Sequence, residues 1–221
     1  MPEGEGGPAR LTRKIPKFRR IGSEERRAAL IAATLRCLRK HGHEGASVRR
    51  ISAEAGVSMG LINHHFDGSA GLVAAAYESL ANAFVDASER RCADAGEDPR
   101  EQLRAFCGAY LAPDVPDPGL FGIWLIFWSL MATSPEVRAV HAVTAQRSRQ
   151  LLEKQLRRLR KAPGVPSFHV GKAAVALTAW MDGMWVTMSL DPASLTAKDA
   201  LASCEDWIQA LARGELASLR R

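Results

Sequence analysis

Residues 47–66 read Ser47-Val-Arg-Arg-Ile-Ser-Ala-Glu-Ala-Gly-Val-Ser-Met-Gly-Leu-Ile-Asn-His-His-Phe66, two short helical patterns around a tight joint at Gly56-Val57-Ser58. In the first pattern Val48, Ile51 and Ala55 recur at spacings of three and four, which puts them on one helical face. Gly56 ends that helix, since glycine incurs no Cβ penalty at positive φ. Ser58 is expected to cap the next helix through its hydroxyl. In that second helix Ile62 and Phe66 turn back toward the first, while Met59, Gly60, Asn63 and His64 face outward. Gly60 gives up about 1 kcal/mol of helix propensity relative to alanine, so its outward position suits close approach by another molecule. The spacing predicts a helix-turn-helix whose second helix can lie in a DNA major groove.

The run from Ile51 to Phe66, followed by Leu72, resembles the signature of the TetR family of one-component repressors, and the similarity extends over residues 23–80. Three positions depart from that pattern. Ser52 replaces the usual alanine, Asn63 stands where many members have a phosphate-contacting tyrosine, and Ser69 stands where a lysine usually meets the DNA backbone. The resemblance implies an all-α fold, a double-stranded DNA operator as partner, and a homodimer reading a near-palindrome. In that arrangement Met59, Gly60 and Asn63 face base edges, with Ser58 at the helix entry and Arg49 nearby, and Ser47, His64 and His65 hold phosphates.

Charge agrees with a nucleic-acid partner. Residues 1–66 carry 13 Lys/Arg against 6 Asp/Glu, whereas the rest carry 17 against 18, so the basic excess sits with the helix-turn-helix. No apolar run reaches the roughly 18 residues of a membrane span, and the Gly- and Pro-rich N-terminus is too polar for a secretory signal. The four cysteines (Cys37, Cys92, Cys107 and Cys204) lack metal or redox spacing and read as small core residues of a cytoplasmic protein. No cofactor motif is present, and His64, His65 and Asp67 lie on or just after the exposed helix rather than around a nucleophile, which argues against catalysis.

Working outward, residues 1–22 read as a disordered basic arm, either following a minor groove or simply solvated. Residues 23–68 form the DNA-binding head: Ser23 is expected to cap a helix whose inner stripe is Leu30, Ile31, Thr34, Leu35 and Leu38. Residues 69–221 form a helical ligand-sensing and dimerisation domain. It opens with a Ser69-capped helix to about Ala95, followed by Arg100–Leu111 and a loop at Asp114–Gly119. Leu120–Thr133 is almost wholly apolar and is expected to be buried nearly all round. Helices follow at Ser134–Lys161, Ser167–Leu190 and Ser194–Arg213. The last carries an apolar seam of Ala197, Leu201, Cys204, Ile208 and Leu211 beside Trp207, which suits a dimer interface through the last two helices.

All five tryptophans fall in these later helices. Trp124, Phe127, Trp128 and Met131 lie at i, i+3, i+4 and i+7, and Trp180, Asp182 and Trp185 surround Gly183. Two readings stand: an ordinary core stripe, or an aromatic box for a desolvated cation with Asp182 balancing its charge. Ile123–Trp128 and Ala179–Trp185 resemble segments of the BetI-type repressors, choline-responsive TetR members, which implies a choline-like small-molecule effector. The competing reading is a dimeric DNA-binding protein with no small-molecule ligand.

Overall fold

The computed structural model describes residues 22–111 and 118–220. The expected N-terminal arm lies outside that range except for Gly22, and the expected loop at 114–119 lies outside it except for Pro118 and Gly119, which open a helix. The described residues form nine α-helices: α1 (Ser23–His41), α2 (Val48–Ala55), α3 (Met59–Phe66), α4 (Ser69–Asp94), α5 (Pro99–Leu111), α6 (Pro118–Thr133), α7 (Pro135–Arg160), α8 (Val170–Leu190) and α9 (Ala197–Arg213). Among the described residues the β-type pairing is confined to an isolated bridge between Phe168 and Arg220, and no helix is long and apolar enough to cross a membrane.

Helix ends follow local chemistry, with corrections. Ser47 and Ser134 cap as serines should, accepting from the amides of Arg50 at 3.4 Å and Val137 at 3.3 Å. Gly56 is left-handed at φ 66°, closing α2 as expected. Ser58 sits at the N-cap of α3 but its hydroxyl makes no cap bond. Ser23 is the first helical residue rather than the cap: the Gly22 amide donates to Glu25 Oε2 at 3.2 Å instead. Ser69 is likewise helical, because Asp67 at φ 51° and Gly68 at φ 96° turn the chain before it and leave Gly68 as the cap. The last helix begins at Ala197, not Ser194, since Thr196 and Asp199 form a reciprocal capping box with both amide bonds at 3.2 Å.

Three apolar clusters run the length of the molecule. The head cluster joins Leu30 and Cys37 of α1, Ile51 of α2, and Ile62 and Phe66 of α3 to Leu72 and Ala75 of α4. The middle one packs Leu38 of α1 and Val73, Tyr77 and Ala81 of α4 against Ile123, Phe127 and Leu130 of α6. The far one gathers α5, α7, α8 and α9 around residues such as Phe106, Leu156, Leu177 and Ile208. With 26 residues, α4 spans about 39 Å and contributes to all three clusters, so it joins head to bundle. All four cysteines are buried and free.

Two packing expectations need correction. α6 is not buried nearly all round: Ile123, Phe127 and Leu130 are buried, but Trp124, Leu125, Ile126 and Trp128 are half-buried and Ser129 is exposed. Its apolar surplus borders a cleft described below. The seam of the last helix is spent inside the chain, where Cys204, Ile208 and Leu211 are buried in the far cluster with Trp207. Any surface that these two helices offer a second copy must come from other faces.

Candidate nucleic-acid interface and ligand cleft

The helix-turn-helix presents one outward face. Ser47, Arg49, Ser58, Met59, Gly60, Asn63 and His64 are exposed together and His65 is half-buried, while Ile62 and Phe66 anchor the opposite side. Met59, an apolar side chain at the first position of α3, is 57% exposed. A Cβ on Gly60 would meet nothing within 4 Å, so the fold itself does not require a glycine there. The cap bond leaves the Ser47 hydroxyl hydrogen free to donate.

Two features that sequence reasoning missed hold α3 in place. The Arg27 guanidinium lies 4.4 Å from the Phe66 ring centroid and donates to the His65 carbonyl at 3.2 Å. Gly71, in the first turn of α4, lets the end of α3 approach so closely that a Cβ there would lie 1.9 Å from the Phe66 carbonyl oxygen. Both residues precede or follow the motif, and neither carries a periodicity signal.

The second site is a cleft of about 600 Å³ between α4, α5, α6, α7 and α8. Tyr77 and Phe84 of α4, Tyr110 of α5, and Trp124, Trp128 and Met131 of α6 supply its aromatic and thioether wall. The rings pack edge to face, with Tyr77 to Trp124 at 5.8 Å and Phe84 to Tyr110 at 5.2 Å between centroids. Tyr77 Oη and His141 Nδ1 are hydrogen bonded at 2.8 Å. At the α8 side the Tyr110 hydroxyl donates to Asp182 Oδ1. Burial raises the Asp182 carboxyl above its ordinary pKa, against the opposing pull of the Tyr110 bond and of His141. Burial also lowers the His141 pKa, opposed by Asp182, and raises the Tyr110 phenol well above its ordinary range. Arg149 stands exposed at the rim.

The seven residues expected to hold a ligand therefore divide. Trp124, Trp128, Met131 and Asp182 line the cleft. Phe127 is fully buried behind it, 5.0 Å from Tyr77, because its position on α6 turns toward α4. Trp185 backs the wall rather than lining it, at 6.3 Å from Trp124 and 6.2 Å from Trp128. Trp180 is 45% exposed and donates to Met184 Sδ at 3.2 Å, so it belongs to the outer face of α8. Tyr77, Phe84, Tyr110 and His141 were missed as site residues. A signal did exist: the chain has two tyrosines, both on apolar helical stripes, and both hydroxyls need a buried partner. Chemically the cleft can exclude water from a cation, face it with ring quadrupoles and balance it with one carboxylate.

Comparison with known proteins gives a consistent picture. Residues 30–76 match the family described as bacterial regulatory proteins, tetR family, and residues 99–213 match the C-terminal part of BetI-type transcriptional repressors. The chain is 31% identical over 193 residues to the HTH-type transcriptional regulator BetI of Burkholderia mallei, covering 87% of this chain and 96% of that protein. Its fold is similar to that of a transcriptional regulator from Pseudomonas aeruginosa PAO1, with a TM-score of 0.83, 38% identity, and coverage of 93% of this chain and 99% of that one. It is also similar to a regulator from Saccharomonospora viridis solved in complex with choline, with a TM-score of 0.72, 19% identity, and coverage of 84% and 96%.

Proposed function

Since the chain belongs to the TetR family of transcriptional regulators and carries a BetI-type C-terminal half, we propose that it represses transcription as a homodimer on a near-palindromic operator, under control of a quaternary ammonium ligand such as choline. DNA binding and repression come with the family, and the chain is a regulator rather than an enzyme. The observation that carries the ligand reading is the cleft itself: rings from α4, α5 and α6 stand around a half-buried carboxylate whose pKa is raised. The choline complex of the Saccharomonospora viridis regulator, a protein of similar fold, supports the same chemistry. The deciding experiment measures operator affinity with choline and with its uncharged isostere, in which carbon replaces the nitrogen. Choline alone is expected to change operator affinity; an equal response to both would refute a charge-reading cleft.

On the DNA side, Met59, Gly60, Asn63 and Arg49 face bases, Ser58 sits at the groove entry, and Ser47, His64 and His65 meet phosphates. The open space around Gly60 makes a clean separation of folding from reading possible. Gly60→Ala is expected to leave the fold unharmed, or more stable by up to about 1 kcal/mol, yet to weaken operator binding because the groove surface must accommodate the added methyl. Arg49→Ala is expected to weaken binding by about 1–3 kcal/mol if its guanidinium reads a base. Thermal melting alongside fluorescence anisotropy checks both, and a Gly60→Ala protein that binds as well as the parent would remove α3 from close contact with DNA.

The homodimer reading rests on the outer face of α8, where Trp180, Gly183, Thr187 and Leu190 are exposed and spaced along one side. An exposed tryptophan in line with an exposed glycine, threonine and leucine is a fitting anchor for a second copy. Two heads must then sit about 34–36 Å apart to reach successive major grooves. Trp180→Arg is expected to give a monomer by light scattering, with operator affinity falling at the same time. A dimer that survives this change would move the interface elsewhere.

A further inference from the structure

The aromatic cleft has a second wall, which a bare ammonium ion leaves unused. Five residues of α7 line it at i, i+3, i+4, i+7 and i+8: His141, Thr144, Ala145, Ser148 and Arg149. Thr178 joins them from α8, one turn before Asp182. Thr144 spends its hydroxyl on the Val140 and His141 carbonyls, at 3.1 and 3.3 Å. The others keep their donors. The Tyr77 hydroxyl finds its acceptor in His141 Nδ1, so the neutral imidazole carries its hydrogen on Nε2, which has no partner among the described residues. Nor have the Ser148 and Thr178 hydroxyls a partner among them. All three residues are half-buried, and none of these atoms is fully enclosed, so a guest can reach them.

Opposite charges are set apart along this wall. His141 lies within the field of Asp182, whereas Arg149 stands eight residues further along α7, about 12 Å by helical rise. Arg147, close by in sequence, is engaged by Asp86 at 2.6 Å and Glu89 at 3.1 Å, and Glu153, one turn on, is engaged by Arg157. Arg149 makes no ion pair among the described residues, and Asp182 is the one carboxylate among those that line the cleft. The volume of about 600 Å³ falls in the roughly 300–1,000 Å³ range of sites for drug-sized ligands, so choline fills only a part of it.

We propose that the preferred guest of the cleft carries an anionic oxygen group as well as its quaternary nitrogen. The nitrogen meets the rings and Asp182, the oxygen on the second carbon accepts from His141 Nε2, and the oxyanion accepts from Ser148, Thr178 and Arg149. Carnitine presents such a group as a carboxylate and phosphocholine presents it as a phosphate, and both keep the oxygen of choline at the same distance from nitrogen. The inference rests on the quaternary ammonium reading above and narrows it to a class of ligand.

Isothermal titration of the full chain with choline, carnitine and phosphocholine tests this. Carnitine, phosphocholine or both should bind more tightly than choline by about fivefold or more, as charge-assisted hydrogen bonds should give. Which of the two gains tells the carboxylate from the phosphate. Arg149→Ala should cut that margin to about twofold or less, whereas Arg149→Lys, which keeps the charge, should retain most of it. Arg149 is exposed, so neither change should disturb the fold. If choline binds but the parent shows a margin below about fivefold, this proposal falls and the choline reading stands. A margin undiminished in Arg149→Ala would also overturn it. Failure of all three ligands to bind would remove the quaternary ammonium reading and this inference together.

Discussion

An alanine at Gly71 is expected to abolish operator binding and to cost about 3 kcal/mol or more of stability, at the upper end of overpacking losses. The cause is local and geometric. The new Cβ would fall 1.9 Å from the Phe66 carbonyl oxygen and 3.0 Å from its carbonyl carbon, and both are backbone atoms that no rotamer change can move aside. Nor can the connecting turn easily absorb the shift, since Asp67 and Gly68 already hold positive φ. Phe66 is packed in the head cluster and braced by Arg27, so moving it means lifting α3 off α1 and α4. Gly122→Ala in α6 is the control: nothing lies within 4 Å of its Cβ, and it should be neutral or slightly stabilising. Chemical denaturation together with operator anisotropy reads both effects. Near-parental behaviour of Gly71→Ala in both would mean that the α3–α4 contact is looser than described.

The second large effect concerns Asp182. Asp182→Asn keeps the shape of the side chain and removes the cleft's carboxylate, so choline affinity should fall by about 2 kcal/mol or more, roughly thirtyfold. Trp128→Ala should weaken choline as well and, with Asp182→Asn, break the link between ligand and operator while leaving DNA affinity itself intact. The pH dependence has a definite sign. Burial raises the Asp182 pKa, so folding favours its protonated form; the resulting stability is present at low pH and is lost as pH rises through the folded-state value. At neutral pH the empty cleft therefore carries a cost that Asp182→Asn relieves. Choline needs the carboxylate, so its affinity should be highest above that pKa and decline on acidification, with protons released on binding near it. Of the other groups facing Asp182, burial holds the Tyr110 phenol well above its ordinary range and the His141 imidazole below its own. His141→Gln should keep the slope and Asp182→Asn should flatten it. Titration calorimetry across pH checks this, and a pH-independent choline affinity in the parent would rule Asp182 out as the counter-charge.

What the sequence makes legible follows from how far each signal reaches. Apolar spacing within one helix is local, so every helix and the inward side of α3 can be read directly. The cleft is built differently. Its wall draws Tyr77 and Phe84 from α4, Tyr110 from α5 and His141 from α7, each of which looks like a routine core position within its own helix. Phe127 shares an arc with Trp124 and Trp128 in projection, yet the angle at which α6 meets α4 assigns it to the core. Trp180 and Trp185 lie close in sequence but on different sides of α8. The C-terminal seam shows the same limit: an apolar stripe announces burial without saying whether the partner is the same chain or another. Caps were misplaced where a left-handed turn, invisible to pattern counting, shifted the start of a helix by one residue.

The uncharged helix α6 turns Trp124, Trp128 and Met131 to the cleft and Ile123, Phe127 and Leu130 to α4 and the foot of α1. A guest in the cleft and the packing beneath the reading head therefore press on opposite sides of the same helix. If Asp182 selects the guest by its charge, the bulk set against the two indoles would determine how far α6 is displaced. Occupancy and response are therefore separable quantities, and a compact ammonium that satisfies the carboxylate without reaching Trp128 should behave as a silent competitor.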